Sequence, residues 1–126
     1  MEDSPITVLL VEDDPDTLEM YRLRLERDGY DVQVATDGEQ GLARAIDLRP
    51  DIVFLDIRLP KLDGLEVLTK MREHGATAHL PVVILSNYGE KDLIDRGLKL
   101  GALEFLVKAN TAPVDLSEGI DEWLKE

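Results

Sequence analysis

Four apolar runs of the sequence are each followed directly by residues that can do chemistry. In chain order, these residues are Glu12 and Asp13, Asp56, Ser86 and Lys108. Carboxylates offer the oxygen ligands that Mg²⁺ prefers, and this ion usually keeps several of its waters. A hydroxyl and an ammonium group beside them suit an incoming anion, for which phosphate is the natural candidate. If the fold brings the five residues together, Asp56 can act as a nucleophile toward a phosphoryl group at a metal-assisted centre.

Each of these residues has an ordinary structural interpretation when it is considered alone. Residues 12–14 could form a solvated turn with a helix cap, and Asp56 could cap the turn that precedes Pro60. Ser86 could cap the next helix, and Lys108 could be a surface lysine. Their joint placement at the ends of four predicted strands favours the functional interpretation.

The strands that must position these residues are predicted from the apolar runs. They cover residues 6–11, 32–35, 52–55, 82–85 and 104–107. Four of the five are strongly apolar, as expected for strands that are covered on both faces. The run 32–35 is interrupted by Gln33, which suits an edge strand.

Helical patterns fill the intervals between the strands and follow the last one. Asp14, Asp37 and Asp63 are placed to cap the first three helices, and Gly29 and Pro50 to end the first two. The apolar stripes of the five helices are, in order, Leu18, Tyr21 and Leu25; Leu42, Ala45 and Ile46; Val67, Leu68 and Met71; Leu93, Leu98 and Leu100; and Leu116, Ile120 and Leu124. Gly119 opposes the last helix by about 1 kcal/mol in helix propensity.

Strict alternation of strands and helices predicts an α/β fold with a parallel sheet and helices on both faces. The expected architecture is a flavodoxin-like, doubly wound (βα)5 fold with a five-stranded parallel sheet in the order 2-1-3-4-5. In that order strands 1 and 3 are neighbours, so Glu12, Asp13 and Asp56 converge. Carboxylates this close repel one another, and Mg²⁺ removes the repulsion.

Length and composition restrict the function classes. The chain has 126 residues, which fits one domain over residues 1–126, and it carries 27 acidic against 14 basic residues for a net charge of −13. Such a surface repels nucleic acid and anionic lipid, so neither is expected as a direct partner. The absence of cysteine excludes disulfides and thiolate metal sites. An acidic start and no long apolar stretch predict a cytoplasmic protein.

Four segments of the sequence carry a family resemblance. "VLLVEDDPDT", "DIVFLDIRLPKLDG", "PVVILSN" and "GALEFLVKA" resemble the signature segments of response-regulator receiver domains, the CheY-like family of two-component signalling. The resemblance extends over essentially the whole chain. It implies that Asp56 accepts a phosphoryl group from a histidine kinase or phosphotransfer protein. The protein would then be a switch that acts on a downstream protein target, with chemistry limited to its own phosphorylation and dephosphorylation.

The resemblance also assigns roles to individual residues. It implies that Mg²⁺ is held by Glu12, Asp13, Asp56 and the backbone carbonyl of Arg58, while Asp14 remains chiefly a helix cap. It further implies that Ser86 is the switch hydroxyl, Phe105 the switch aromatic residue and Lys108 the phosphate-binding lysine.

The sequence departs from the family pattern at four positions. Asn87 is larger than the usual alanine or glycine, and Ala109 replaces the proline that usually follows the lysine. A cis bond before a non-proline residue costs about 3 kcal/mol, so the Lys108–Ala109 bond is predicted to be trans, with an altered loop after it. Arg58 and Tyr88 are bulky where the family flanks the phosphate, which predicts a long-lived phosphorylated state. The alternative is that both side chains point to solvent and have no effect.

Two other function classes are alternatives to the switch. A pseudo-receiver would bind partners without phosphate, but its expected mark is loss of Asp56, the acidic pair or Lys108, and all are present. An aspartyl phosphatase of the haloacid-dehalogenase group would carry a second aspartate at position 58, where this chain has Arg58. No DNA-binding domain follows the fifth helix, so we expect either a stand-alone regulator or a domain cut from a longer protein.

Overall fold

Parallel strands and helices alternate through residues 5–87 and 89–125, which are the residues that the computed structural model describes. The strands are β1 (Thr7–Val11), β2 (Asp31–Ala35), β3 (Ile52–Asp56), β4 (Val82–Ser86) and β5 (Glu104–Val107). The α-helices are α1 (Pro15–Arg27), α2 (Gly38–Leu48), α3 (Gly64–Glu73), α4 (Lys91–Lys99) and α5 (Pro113–Leu124). A short 3-10 turn, Lys108–Asn110, follows β5.

The five strands form one parallel sheet in the order β2-β1-β3-β4-β5, which confirms the predicted fold. At the central pair, Val11 of β1 lies beside Leu55 of β3. Asp56 and Ser86 are the last residues of β3 and β4 rather than the first residues after them. The backbone from which their side chains project is therefore fixed by the hydrogen bonds of the sheet.

The sheet is covered on both faces by helices, and this explains the continuous apolar runs. Successive residues of a strand point to opposite faces. In β3, Val53 and Leu55 join the core cluster that includes Leu68 of α3. Ile52 and Phe54 join the opposite cluster, which α1 and α5 complete with residues such as Leu25 and Leu116.

Side-chain caps fix the starts of three helices as predicted. Asp14 accepts a hydrogen bond from the Thr17 amide at 3.0 Å, and Asp37 accepts one from the Gln40 amide at 2.8 Å. Asp63 forms a reciprocal capping box with Glu66 at the start of α3. Such caps satisfy amide groups that have no partner within the helix.

Local contacts explain where α2 ends and why α5 tolerates a glycine. α2 ends at Leu48, because Arg49 adopts a left-handed conformation (φ 45°) before Pro50. α5 continues through Gly119, where an added Cβ would lie 2.5 Å from the Trp123 ring. The missing side chain thus makes room for the ring, which offsets the poor helix propensity of glycine.

The predicted stripe of α4 is wrong at Leu98, which is 46% exposed. At about 100° per residue, Leu98 lies about 140° around the helix from Leu93, whereas Gly97 lies on the same face as Leu93. Gly97 is buried, and an added Cβ there would come within 2.5 Å of the Ile84 side chain. A glycine therefore makes the close contact that the pattern assigned to leucine.

The structure settles the burial of β5 and the alternative in which Ser86 caps α4. β5 lies at an edge of the sheet, as the predicted strand order requires, and Phe105 and Leu106 pack against the two opposite core clusters, although three of its four residues are only half-buried. Ser86 does not cap α4, whose cap residue is Glu90 and has no side-chain capping bond. Among the helices of the described ranges, none combines the length and the apolar character needed to cross a membrane.

Candidate functional site

The acidic residues of β1 and β3 meet at one edge of the sheet. Glu12 and Asp13 follow β1, Asp56 ends β3, and one carboxylate oxygen from each of the three lies within 4.8 Å of the others. The adjacent strand β2 fixes the backbone here, because the Glu12 amide donates to the Ala35 carbonyl at 3.0 Å. The predicted convergence of the three carboxylates is confirmed.

The three carboxylates differ in exposure. Glu12 is 1% exposed and Asp56 is 3% exposed, whereas Asp13 faces solvent. They line a cavity of about 500 Å³, whose lining among the described residues is Glu12, Asp13, Asp14, Thr17, Asp56, Arg58, Asn87 and Lys108. The site therefore combines two buried carboxylates with an opening to solvent at which the third carboxylate, that of Asp13, lies.

Lys108 ties the two buried carboxylates together. Its Nζ lies 2.5 Å from Glu12 Oε1 and 3.0 Å from Asp56 Oδ2. The lysine follows β5, two strands away from Asp56, so its long side chain must reach past the end of β4. The Lys108–Ala109 peptide bond is trans as predicted, since the described residues contain no cis peptide bond.

Backbone amides occupy the remaining oxygens of the same two carboxylates. The Ile57 amide donates to Asp56 Oδ1 at 2.8 Å, and the Asp14 amide donates to Glu12 Oε2 at 3.0 Å. Each oxygen of Glu12 and Asp56 thus accepts one hydrogen bond from the described part of the chain. A carboxylate oxygen has two lone pairs, so each can also accept a metal ion.

Burial and charge act in opposite directions on the ionisation of the site. Burial raises the pKa of Asp56 and of Glu12, and the hydrogen bonds from Lys108 offset this only in part. Burial alone would lower the pKa of Lys108, but its hydrogen bonds to Glu12 and Asp56, together with the negative charges of these two groups, outweigh burial and raise that pKa. One ammonium group is therefore shared by acids that together carry more negative charge than it neutralises.

The donor set fits Mg²⁺. Glu12, Asp13 and Asp56 supply only oxygen ligands, and the exposed side at Asp13 leaves room for the waters that this ion retains. A dication would also balance the negative charge that remains after Lys108 has paired. The chemistry of the site thus matches a hard divalent cation.

The other predicted site residues lie in different places around this cavity. Arg58 and Asn87 line it, whereas Ser86 is completely buried at the end of β4 beside Val107. Phe105 is half-buried and packs against the core cluster that contains Leu68. Tyr88 lies outside the described residues.

Thr17 was not anticipated from the sequence. It stands in the first turn of α1 and lines the cavity, and its hydroxyl donates to Asp14 at 2.6 Å. The spacing from Asp14 to Thr17 is that of a cap residue and the third helical position. That spacing indicates the contact between the two residues but not that the threonine faces the cavity.

The doubly wound α/β sheet carries converging carboxylates and a lysine at its carboxyl edge, at the topological switch point where ligands of such sheets bind. The family model of the response regulator receiver domain matches residues 8–120. The chain belongs to this family, whose members are phosphorylation-based switches of two-component signalling.

Curated relatives are longer than this chain. The DNA-binding dual master transcriptional regulator RpaA of Synechocystis sp. is 39% identical over 88% of this chain, which corresponds to 44% of that protein. The alkaline phosphatase synthesis transcriptional regulatory protein PhoP of Bacillus subtilis is 38% identical over 80% of this chain and 41% of its own length. The chain thus spans less than half of the length of these relatives.

Solved structures share the complete fold. A CheY-like receiver domain from Methanospirillum hungatei superposes with a TM-score of 0.88 at 29% identity and covers 96% of this chain and 94% of its own. The CheX–CheY complex of Borrelia burgdorferi with beryllofluoride and magnesium gives a TM-score of 0.88 at 26% identity, covering 97% of this chain and 91% of that chain.

Proposed function

We propose that Asp56 is the phosphoacceptor of a Mg²⁺-dependent signalling switch. The observation that carries the proposal is the contact of one partly buried lysine, Lys108, with both Glu12 and Asp56, beside the exposed Asp13. The phosphoryl donor is the phosphohistidine of a kinase or phosphotransfer protein. The output is contact with a downstream protein, and the site of action is the cytoplasm.

The proposed reaction is a displacement at phosphorus. A carboxylate oxygen of Asp56 forms the new O–P bond while the N–P bond to the donor histidine breaks, and the imidazole leaves with its electron pair and takes up a proton. The product is an acyl phosphate on Asp56. Lys108 already lies 3.0 Å from this carboxylate and can pair with a phosphoryl oxygen instead.

A bound Mg²⁺ would supply positive charge to the phosphoryl oxygens. Glu12, Asp13, Asp56 and the carbonyl of Arg58 are the proposed ligands, and Arg58 lines the same cavity. The beryllofluoride and magnesium present in the Borrelia CheX–CheY complex support this assignment by analogy. The rigid end of β3 keeps Asp56 in place while its charge changes.

The proposed switch connects the cavity to the face formed by α4, β5 and α5. Phosphorylation adds charge and acceptor oxygens, toward which the Ser86 hydroxyl and Lys108 would move. Phe105 packs on the adjacent core cluster, and a displaced Ser86 would let its ring turn inward. The phosphoryl group would thereby shift the balance between two conformations of this face.

The test of the phosphoacceptor is a phosphate-affinity gel after incubation with acetyl phosphate, with and without Mg²⁺. The wild type and the exposed control Asp92→Asn should give a shifted band only with Mg²⁺. Asp56→Asn should abolish the shifted band, and Asp13→Asn should need a higher Mg²⁺ concentration than the wild type to give the same shifted band. A full shift in Asp56→Asn would exclude the assignment, and an equal shift without Mg²⁺ would exclude the metal requirement.

The test of the switch is the change in amide chemical shifts when beryllofluoride and Mg²⁺ are added. Shifts should extend from the cavity to Phe105 and the neighbouring residues of α4 and α5. Shifts confined to the cavity would support the rival phosphate-independent binding module.

The lifetime of the acyl phosphate tests the proposed shielding by Arg58. Its guanidinium can hold a phosphoryl oxygen without acting as a base, so Arg58→Asn should speed the decay of phosphorylated protein in Mg²⁺. The partner substitution Tyr88→Glu tests the other flanking position. Unchanged decay in both variants would mean that neither side chain shields the phosphoryl group.

A further inference from the structure

A second cleft lies at the opposite edge of the sheet from Asp56. It has a volume of about 730 Å³ and is bordered by the segment that leads into β4, the turn between α4 and β5, and the end of α5. Its size falls within the range of small-molecule sites. A ligand there would not touch the acidic cavity, so the inference does not depend on the proposed function.

The cleft is basic although the protein is strongly acidic. Arg72, Lys99 and Lys125 line it together with His79, and none of the lining residues that the structure describes is acidic. At its rim, Lys125 Nζ lies 3.9 Å from Glu122, in a pair whose side chains are both well exposed. In a chain with 27 acidic and 14 basic residues, this local reversal of charge favours an anion.

Arg72 fixes both walls of the cleft. Its Nε donates to the Leu100 carbonyl at 2.8 Å and its Nη1 to the Leu80 carbonyl at 2.9 Å, so it joins the segment before β4 to the end of α4. Within the described ranges, its hydrogen bonds all go to carbonyl groups and it forms no ion pair. The guanidinium charge is therefore solvated by carbonyl dipoles and is not neutralised by a carboxylate. Because these hydrogen bonds organise the cleft before a ligand arrives, binding there costs little conformational entropy.

The cleft also presents apolar and aromatic surface. Trp123 lines it, and so does Leu103, which is 45% exposed. The Trp123 ring is held in place by an edge contact with Phe54, at 5.8 Å between ring centroids. A rigid aromatic side chain beside several cations suits a ligand that combines a flat ring with a negative charge.

We propose that this cleft binds a small anion that carries a planar ring, of the class of a nucleoside monophosphate. The ring would lie against Trp123 and Leu103. The phosphate would face Lys99 and Lys125, with the unneutralised charge of Arg72 behind them.

The experiment uses AMP as the probe. Inorganic phosphate and adenosine, each of which carries only one of the two groups of AMP, are tested separately. Trp123 is the only tryptophan of the chain, so its emission reports on the cleft directly. Metal-free buffer keeps phosphate away from the acidic cavity. Amide shifts of Gly101 and Leu103 provide a second measurement. We expect AMP to saturate both signals with a dissociation constant of about 1 mM or lower.

The matched variants are Lys99→Gln and Lys125→Gln, with Lys70→Gln on α3 as a control that does not line the cleft. All three lysines are exposed, so these variants should fold normally. The first two should each weaken AMP binding about threefold or more, and the control should not. No saturable signal up to about 5 mM AMP would overturn the proposal. It would also be overturned if adenosine or phosphate alone bound as tightly as AMP, or if Lys70→Gln weakened binding equally.

Discussion

Replacing Lys108 by methionine removes the one ammonium group that the two buried carboxylates share. Methionine keeps much of the apolar stem but has no charge. Nζ–O distances of 2.5 and 3.0 Å to Glu12 and Asp56 correspond to about 12 kcal/mol of gross attraction at an effective dielectric constant of about 20. Desolvation of the three groups offsets most of this attraction, and removing one partner of a buried pair typically costs about 3–5 kcal/mol.

Protonation of a carboxylate limits how large the loss can be. Moving a carboxyl group from an ordinary pKa of about 3.8 to one above 7 costs about 4 kcal/mol at pH 7, since each unit is worth about 1.4 kcal/mol. Lys108→Met should therefore lower the free energy of unfolding by about 3 kcal/mol near neutral pH.

The stability lost in Lys108→Met should depend on pH, and the pKa shifts of the two carboxyl groups give the direction of that dependence. Burial raises the pKa of Asp56 and Glu12 above their ordinary values. The folded protein therefore holds protons that the unfolded chain releases as the pH rises through about 4, and stability falls from there until the folded pKa values are passed. Lys108 limits this decrease in stability because its charge favours the ionised carboxylates, and methionine has no charge with which to do so. The difference between wild type and variant should be small near pH 4 and should grow toward pH 7.

Urea unfolding in EDTA at about pH 4, 5.5 and 7 measures this difference. Lys91→Met is the matched control, because its exposed pair with Asp95 at 2.9 Å should be worth less than about 1 kcal/mol. Adding Mg²⁺ should restore the variant by about 2.7 kcal/mol when the ion is at a hundredfold its dissociation constant. Equal losses at every pH, or a loss no larger than that of Lys91→Met, would refute the reasoning.

Three further substitutions test the loop and helix that follow Asp56. Gly64→Ala should destabilise the protein by about 3 kcal/mol in urea unfolding, because the new Cβ would lie 2.1 Å from the Asp56 carbonyl oxygen, whereas Gly75→Ala meets no atom within 4 Å and should be nearly neutral. Asp63→Ala should cost about 1 kcal/mol through the lost capping box, and a thermal midpoint equal to the wild type would contradict this. Lys61→Gly should stabilise the fold by about 0.5–1 kcal/mol, since Lys61 has a left-handed backbone (φ 73°), and a lowered midpoint would contradict that reasoning.

The fold could be predicted from the sequence because its signals are local. Continuous apolar runs such as residues 52–55 indicated strands covered on both faces, and cap residues such as Asp63 marked helix starts. Strict alternation then left few topologies, since parallel crossovers are right-handed. The convergence of Glu12, Asp13 and Asp56 followed from that topology without any side-chain information. The family resemblance led to the same expectation.

The contacts of individual side chains were decided only by the tertiary structure. Lys108 reaches both Glu12 and Asp56, and Asn87 rather than the buried Ser86 lines the cavity at the end of β4. These outcomes depend on the reach and rotamer of each side chain against residues that are distant in the sequence, which no periodic pattern specifies.

The basic cleft and the packing of α4 also separate what the sequence determines from what only the tertiary structure decides. The sequence places Arg72 on α3, but only the folded chain brings it to the carbonyl groups of Leu80 and Leu100. Gly97 replaces Leu98 as the inward residue of α4, because the helix is oriented by its contact with Ile84. The sequence by itself determined which segments are strands and helices, and in what order they pair, since backbone periodicity and handedness are local properties. Close packing among residues remote in sequence decided which atoms meet.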